Sequence, residues 1–204
     1  MAEAPENSKT RLLTATIDLV RANGYAATRV EDVCAAAGVT KGSFFHHFAS
    51  KEDLAIAAAR QWDEGAARLF AQAPYAFEAD SLARLLGYVK FRKELLAGEI
   101  REWSCYAGTT IQETHETYPD IRDACAASIA NHVAMLSTLI DDALREYPVM
   151  DVRAESLAIH IQAVIQGAFI MAKARQDVRA ARDSIDHLHC YLELLFASNK
   201  KRKR

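Results

Sequence analysis

The segment GVTKGSFFHHF, residues 38–48, carries basic and aromatic residues and no acidic residue, in a chain whose formal net charge is −2. Lys41 can donate hydrogen bonds to guanine O6 or N7, and Ser43 can donate to or accept from several base edges. Gly42 has no side chain, so a partner can approach the backbone closely. These residue types suit contact with a negatively charged partner, a metal site or a packed core, and the surrounding elements must decide between them.

Turn residues around this segment predict a helix-turn-helix. A short helix over residues 28–37 is followed by a turn over 38–40 and by a second short helix over 41–48. Thr40 is a candidate N-cap for the second short helix, and Ser50 for the helix that follows. Apolar residues recur where the two short helices would pack on each other, which leaves one face of the second helix outward.

Two further patterns place this motif within a helical unit. Thr28 and Glu31 have the T-x-x-E spacing of a capping box, which predicts that the first short helix begins after Thr28. A preceding helix over residues 9–22 ends at Asn23-Gly24. We therefore expect three helices within about the first 50 residues.

The adjacent His46 and His47 raise the alternative of a metal site. Successive helical residues diverge by about 100°, so two adjacent rings do not readily hold one ion. No third ligand lies nearby in the sequence. We therefore predict no metal and no cofactor, and we place the histidines on the outward face beside Lys41.

The composition of the whole chain favours an all-α protein. Only eight glycines and four prolines occur, mostly where helices should stop, and no segment alternates in the manner of a strand. After Pro74 the apolar pattern predicts five longer amphipathic helices, over residues 81–97, 100–117, 119–147, 152–174 and 180–197.

Several functional classes find no support in the sequence. There is no G-x-S-x-G, no phosphate-binding loop and no helix with metal ligands at i and i+4, so we do not expect an enzyme. There is no secretory signal pattern and no run of about 18 apolar residues, so we expect a cytoplasmic protein without a membrane partner. Four widely separated cysteines fit free thiols in a reducing compartment.

The stretch TRVEDVCAAAGVTKGSFFHHFASKEDL, residues 28–54, resembles the DNA-binding domain of the TetR family of bacterial transcriptional regulators, and the resemblance extends back to about Lys9. The matching parts include the Ala-Gly-Val turn, the Lys-Gly-Ser start of the recognition helix, the aromatic pair and the Ser-Lys-Glu that follows. The resemblance implies a homodimer that places two recognition helices in successive major grooves of an inverted-repeat, double-stranded operator. Most such relatives repress transcription until a small-molecule effector releases them.

The resemblance also implies a domain organisation. We predict a three-helix, helix-turn-helix DNA-binding domain over residues 1–50 and a larger helical-bundle domain for effector binding and dimerisation over 51–199. The basic stretch KKRKR, residues 200–204, is predicted to be a disordered tail.

The predicted DNA contacts combine base-reading side chains with phosphate contacts at helix N-termini. They are Thr28, Arg29, Thr40, Lys41, Gly42, Ser43, Phe45, His46, His47 and Lys51. Relatives often have tyrosine where this chain has Phe45, and the phenyl ring cannot make the hydrogen bond to phosphate. Residues 1–60 carry seven basic and seven acidic side chains. An alternative is therefore a helical homodimeric interaction module without specific DNA binding.

The larger domain gives weaker signals. Candidate effector-binding residues are Tyr88, Phe91, Trp103, Cys105, Tyr106 and Thr109, although an aromatic stripe also suits a plain core. The C-x-x-G segment at Cys105 resembles a branch of the family in which some members sense electrophiles or oxidants, while a buried structural cysteine is the alternative. The candidate dimer residues are Leu157, Ile161, Val164, Ala168, Leu188, Leu192 and Leu195, with packing inside one subunit as the alternative.

Overall fold

The computed structural model describes residues 7–197, and within this range it contains ten α-helices, one short 3-10 turn and no strand. The all-α prediction is confirmed. The predicted basic tail over 200–204 lies outside the described residues. The helices are α1 Ser8–Asn23, α2 Val30–Ala37, α3 Lys41–His47, α4 Lys51–Ala71, α5 Ser81–Glu94, α6 Ile100–Trp103, α7 Tyr106–Thr114, α8 Pro119–Glu146, α9 Ala154–Arg175 and α10 Arg179–Ala197, with the 3-10 turn at Pro74–Phe77.

The start of α2 differs from the predicted capping box by one position. Arg29 is the N-cap residue, and its backbone N–H donates to the Asp32 carboxylate at 3.3 Å. The hydroxyl of Thr28 donates instead to the Gly24 carbonyl at 2.7 Å, in the preceding turn. The predicted box between Thr28 and Glu31 is therefore wrong, because the Thr28 hydroxyl is already used one turn earlier.

The two other predicted caps are confirmed. The Thr40 hydroxyl accepts the backbone N–H of Ser43 at 3.2 Å, and the Ser50 hydroxyl accepts that of Asp53 at 3.0 Å. Gly38 ends α2 in the left-handed conformation, with φ of 62°, which glycine adopts without the steric cost that a side chain brings. These caps fix the short turn between α2 and α3.

The helix predicted over residues 100–117 forms two helices instead of one. Cys105 has an extended backbone conformation, and its Sγ accepts the backbone N–H of Gly108 at 3.3 Å. A side chain that satisfies a free N–H in this way starts a new helix. Cys105 is thus the N-cap of α7.

The described chain divides into two compact units. The first unit comprises the described residues up to Ala66 together with Ser104–Ile129, and the second comprises Ala67–Trp103 together with Ala130 and the described residues after it. Helices α4 and α8 each supply residues to both. The predicted domain boundary at residue 50 stays a prediction, and the compact units divide the chain elsewhere.

The core of the first unit fixes the helix-turn-helix. Phe44 of α3 is fully buried, and Phe48, at the end of α3, is nearly so. Leu12 and Val20 of α1 bury their side chains in the same core as Leu54 of α4. Burying a side chain of this size stabilises the fold by about 1.5–3 kcal/mol. The orientation of α3 is therefore set by its buried face.

Helix α7 is tied to the same core by polar contacts. The Tyr106 hydroxyl donates to the Ala55 carbonyl at 3.0 Å, and burial raises the pKa of Tyr106. The Glu113 carboxylate accepts the backbone N–H of Ala26 at 2.8 Å. The Arg21 guanidinium donates to the Ser104 carbonyl at 2.7 Å. Because these contacts join α7 and the residues just before it to α1, to the turn after α1 and to α4, α7 is an integral part of the first unit.

In the second unit, α9 and α10 pack extensively on each other, and α10 packs on α5. Helices α8 and α9 are long and apolar enough, by length and composition, to pass as membrane spans. Core helices of proteins without a membrane pass the same test, and Ile140 of α8 and Ile165 of α9 are fully buried here. Their hydropathy is therefore consistent with packing inside the protein.

Candidate functional site

One face of helix α3 is exposed and carries both basic and aromatic side chains. Phe44 and Phe48 point into the core, and this leaves Lys41, Gly42 and Phe45 exposed. The Phe45 ring is 56% exposed, although it contacts the Phe44 ring with centroids 5.0 Å apart. An exposed aromatic ring beside a lysine, on a helix fixed by its buried face, suits contact with a flat or charged partner.

The absence of a side chain at Gly42 is not required by the fold. A Cβ placed there would meet only the Thr40 Oγ1 atom, at 3.7 Å, which is an ordinary contact. Glycine within a helix costs about 0.5–1 kcal/mol relative to alanine. The protein therefore bears a stability cost at an exposed position where its own structure has room for a methyl group.

Lys41 is held by an acidic residue of α2. Its Nζ atom lies 2.6 Å from the Glu31 Oε1 atom, and both side chains are exposed. This hydrogen bond raises the pKa of Lys41 and lowers that of Glu31. A partner that binds Lys41 must therefore replace or share this carboxylate.

The structure holds Lys51 inward, on the first unit itself. The Lys51 Nζ atom donates to the Tyr25 carbonyl at 2.7 Å and lies 4.1 Å from the centroid of the Tyr25 ring. Burial of the ammonium group lowers the pKa of Lys51. These contacts give the ammonium group a structural role. The phosphate contact predicted for Lys51 stays a prediction.

Thr28 and Arg29 differ in their accessibility. Thr28 is only 3% exposed, and its hydroxyl donates to Gly24, so the structure does not place this side chain at the surface. Arg29 is exposed at the N-terminus of α2. Of this predicted couple, the side chain that can reach a phosphate is that of Arg29.

The two histidines of α3 have different surroundings. His46 is exposed, whereas the His47 Nε2 atom lies 2.7 Å from the Ser8 hydroxyl of α1. The hydrogen bond ties the end of α3 to the start of α1. Among residues 7–197, no group of three or more histidine, cysteine or acidic side chains has the arrangement of a metal site.

The structure adds two cations that the sequence prediction missed. Lys9 and Arg11 lie in the first turn of α1, and both are exposed. The Lys9 Nζ atom is 5.9 Å from the Phe48 ring centroid, and an Arg11 guanidinium nitrogen lies beside Gly38. The signal for them in the sequence was the presence of basic residues in the first turn of α1, the helix that packs on α3. Both cations flank the helix-turn-helix.

The predicted effector residues divide between the two units. Tyr88, Phe91 and Trp103 lie in the second unit, whereas Cys105, Tyr106 and Thr109 lie in the first. In the first unit, Tyr106 is a fully buried core residue and Cys105 caps a helix. The structure therefore gives this set no common site within either unit.

The second unit contains a cluster of aromatic rings around a polar pair. The Tyr88 hydroxyl lies 2.8 Å from the Nε2 atom of His132. The Phe70 ring packs on His132 with centroids 4.6 Å apart, and the Tyr75 ring packs on both Tyr88 and Phe91. Burial, with a smaller effect of the Arg92 charge, lowers the pKa of His132 to about 3. His132 is therefore neutral at physiological pH.

The cysteines show no disulfide among the described residues. Cys125 is fully buried, and burial raises the pKa of its thiol to about 12. This thiol is therefore protonated and unreactive at neutral pH. Cys105 is half-buried and accepts the Gly108 N–H, which is a capping role that needs no redox chemistry.

Most of the predicted dimer residues lie on the buried sides of α9 and α10. Five of them are almost fully buried within the single chain, which is a correction to the prediction: Leu157, Ile161, Ala168, Leu188 and Leu192. Val164 and Leu195 are partly exposed. The five buried residues pack where α9 meets α10 and α10 meets α5 inside the subunit, so for them the structure contains core packing, the alternative.

A second apolar stripe lies on the opposite side of the same two helices. Ile159 and Ile170 of α9 are about half exposed, and Leu194 of α10 is 72% exposed. Tyr191 of α10 is also exposed, and its ring contacts that of His160 with centroids 5.5 Å apart. This stripe has no covering element within the described chain.

Two family descriptions match the sequence, one over the helix-turn-helix and one over most of the longer helices that follow it. The one for bacterial regulatory proteins of the tetR family matches residues 12–58, which contain α2 and α3. The one for the C-terminal domain of LmrA/YxaF-like transcriptional regulators matches residues 82–187, more than half of the chain.

The chain belongs to the TetR family.

Named relatives of this TetR-family chain are transcriptional regulators. It is 32% identical over 113 residues to the transcriptional regulator AcuR of Cereibacter sphaeroides, over 55% of this chain and 52% of AcuR, so the match spans about half of that protein. It is 25% identical over 204 residues to a helix-turn-helix transcriptional regulator of Mycobacterium tuberculosis, over 98% of this chain and the whole of that one.

The fold of solved TetR-family structures extends over nearly the whole chain. A TetR-family regulator from Agrobacterium tumefaciens has a TM-score of 0.82 to this structure at 20% identity, and it covers 94% of this chain and 99% of its own. The family and the named relatives are DNA-binding transcriptional regulators and not enzymes. The C-x-x-G sensor branch stays a prediction.

Proposed function

We propose that this TetR-family regulator binds an inverted-repeat operator as a homodimer, represses transcription from it, and leaves it when a small molecule binds the second unit. The observation that carries the proposal is the outward face of α3. Phe44 and Phe48 fix the helix through the core, and Lys41, Gly42 and Phe45 stand exposed on its other side. Lys41 reads a guanine edge, and Gly42 lets the backbone approach the base pairs.

Cations and helix N-termini around α3 support the phosphate contacts. Lys9 and Arg11 are exposed at the N-terminus of α1, and Arg29 is exposed at that of α2. Helix N-termini attract phosphate because free N–H groups and the helix dipole point at it. The hydroxyl of Thr40 caps α3, so it holds the helix that enters the groove. Phosphate contacts of this kind set the position of α3 on the duplex, and base contacts supply specificity.

Exposed apolar side chains support a dimer through the outer faces of α9 and α10. Ile159, Ala163, Gly167 and Ile170 recur at intervals of three or four residues, and a Cβ at Gly167 would meet nothing within 4 Å. Small residues between larger ones let a partner helix approach closely. We include the exposed Leu194 of α10 in this face, because a two-fold dimer buries one apolar patch of each subunit against the same patch of the other. We call this face the outer stripe.

The second unit supplies the candidate effector region. Its aromatic cluster of Phe70, Tyr75, Tyr88 and Phe91 surrounds one neutral polar group, His132. Apolar walls with few polar groups are typical of small-molecule sites. Effector binding releases the operator if the effector prefers a conformation with unsuitable spacing of the two α3 helices, and a coupling of about 1–3 kcal/mol is typical.

The experiment is selection of binding sites from random duplex DNA with three proteins: wild type, Lys41→Ala and Lys90→Ala. Lys90 is an exposed lysine of α5, so its variant removes the same charge away from α3. We expect wild type and Lys90→Ala to select the same inverted repeat and Lys41→Ala to lose preference at a guanine position. If all three proteins select the same site with the same preference, Lys41 does not read a base. If no protein enriches any sequence, the interaction module replaces the regulator.

A further inference from the structure

The cations of α5 are neutralised unequally. The Arg84 guanidinium lies 3.4 Å from the Asp142 carboxylate, and the Lys93 ammonium lies 2.6 Å from that of Asp186. Arg92 has no carboxylate partner and no hydrogen-bond acceptor within residues 7–197. Its side chain is only partly exposed, so water does not surround it fully. Arg92 is therefore a partly desolvated cation without an anion.

Two aromatic rings hold the Arg92 guanidinium in place. Its Cζ atom lies 5.3 Å from the Phe70 ring centroid and 5.6 Å from that of Phe169. Cation–π contacts of this kind stabilise the charge but supply no oxygen to accept its N–H groups. A guanidinium has five donors in a planar fork, which matches the two oxygens of a carboxylate. The donors of Arg92 are thus pre-positioned for an oxyanion.

A second unpaired donor packs on the same phenyl ring. Trp103 is 7% exposed, and its ring lies 5.4 Å from that of Phe169, centroid to centroid. Its indole Nε1–H is buried and has no acceptor among the described residues. A buried donor without an acceptor costs free energy that a bound acceptor would recover. Phe169 therefore contacts both an uncompensated cation and an uncompensated N–H donor.

We propose that Arg92 and Trp103 bind the carboxylate of a small organic acid whose apolar body packs against the aromatic rings of the second unit. The proposal rests on the effector-responsive regulator proposed above and names the chemical class of its effector. His132 is neutral, so Arg92 is the one positive charge in the aromatic cluster among the described residues. One cation in apolar surroundings selects a monoanion over a neutral analogue, because the neutral analogue leaves the charge without a partner.

The test measures binding of acids and of their neutral amides to the full-length protein by isothermal titration and by thermal unfolding. The probes are benzoate, phenylacetate, 4-phenylbutyrate and octanoate, each paired with its amide at the same concentration. We expect at least one acid to bind and to raise the melting temperature, and its amide to bind at least about tenfold more weakly. Binding of no acid at millimolar concentration, or equal binding of acid and amide, overturns the proposal.

Three variants locate the site. Arg92→Met removes the charge and should weaken binding of the acid by about thirtyfold or more, and Trp103→Phe removes only the N–H donor with little change in packing and should weaken it about tenfold. Lys90→Met removes an exposed charge from the same helix and should leave binding unchanged. If Arg92→Met fails to fold, Trp103→Phe and Arg92→Lys carry the test. Equal affinity of wild type and Trp103→Phe, or equal losses in Arg92→Met and Lys90→Met, would overturn the assignment.

A DNA readout separates this proposal from the proposed function. Without acid, all three variants should bind the selected duplex as wild type does. If wild type selects an operator but binds no acid, the regulator stands and the acid site fails. If wild type binds an acid through Arg92 but selects no DNA, the acid site stands and the proposed function fails.

Discussion

The two compact units expose different kinds of surface. Around the helix-turn-helix, two of the cations have acceptors within the unit: Lys41 is paired with Glu31, and Lys51 donates to the Tyr25 carbonyl. In the second unit, Arg92 has aromatic rings and no anion among the described residues, and the outer stripe on α9 and α10 is apolar.

This difference indicates how each unit meets its partner. At Lys41 and Lys51, a DNA phosphate or base must compete with a protein acceptor, which lowers the attraction of these two cations to arbitrary DNA. Among the described residues of the second unit, no anion competes at Arg92 and no element covers the outer stripe. The proposed ligand and the proposed second subunit would therefore meet no internal competitor there. Four substitutions in the two units test this contrast.

The largest effect is expected at the outer stripe. Leu194→Arg places a charge on the exposed apolar face proposed for the dimer, so dimer affinity should fall by at least about a hundredfold, and operator affinity should fall with it. Sedimentation equilibrium measures the dimer constant. Phe77→Arg is the control, because Phe77 is 78% exposed in the same unit but outside the stripe. Monomers in both variants would show that the outer stripe is not the specific interface.

The next effect tests the half-buried, neutral His132. The folded-state pKa of His132 is about 3, below its ordinary value of 6.5. The unfolded chain therefore binds a proton near pH 6.5 that the folded chain does not, so stability present above pH 6.5 is lost as pH falls towards 3. Between pH 7 and pH 5 the loss should be about 2 kcal/mol.

Urea unfolding at the two pH values measures this loss in wild type and in His132→Gln. The glutamine variant lacks the titrating group, so its free energy of unfolding should change by about 2 kcal/mol less than that of wild type. The same pH dependence in both proteins would show that folding does not lower the pKa of His132. The variant also retains groups that can hydrogen-bond to Tyr88, which limits the cost of the substitution itself.

At Gly42 we expect two smaller effects of opposite sign, one on stability and one on DNA binding. Gly42→Ala should raise the free energy of unfolding by about 0.5–1 kcal/mol, because alanine favours the helix and the fold has room for the methyl group. It should lower operator affinity about tenfold, because the methyl group stands between α3 and the base pairs. Urea unfolding and fluorescence anisotropy with a labelled duplex measure the two. Unchanged operator affinity would mean that the backbone does not approach DNA at this point.

The smallest effect is expected at Glu31. Glu31→Gln removes the carboxylate that competes for Lys41, so operator affinity should rise about twofold to fivefold, with a smaller gain at high salt. Glu99→Gln is the matched control, because it breaks an exposed ion pair with Arg101, 2.8 Å long, in the second unit. Weaker operator binding by Glu31→Gln would show that Glu31 positions Lys41 rather than competing for it.

The fold near α3 could be predicted from sequence because its signals are local. The cap at Thr40, the glycine at position 38 and the apolar spacing of Phe44 and Phe48 act within a few residues. The error in the predicted capping box is also local, because the N-cap of α2 is Arg29 and the prediction placed it one residue earlier, at Thr28. Such features depend little on what the rest of the chain does.

The surfaces of the second unit could not be predicted in the same way. Helix α9 is apolar on two sides, and periodicity does not tell which side meets α10 of the same subunit and which is exposed. Ile161 and Ile170 belong to different stripes only because of tertiary packing. The pairing of Lys41 with Glu31 and the unpaired donors of Arg92 and Trp103 likewise depend on contacts distant in sequence.

The most direct test of the proposed regulator is the mass of its complex with a selected duplex, measured by sedimentation velocity. The dimer with two recognition helices predicts two protein chains per inverted repeat, and one half-site alone should bind much more weakly. Leu194→Arg should not form the two-chain complex at the same protein concentration. A complex with one chain per duplex, equally stable on a single half-site, would contradict the proposed mode of binding.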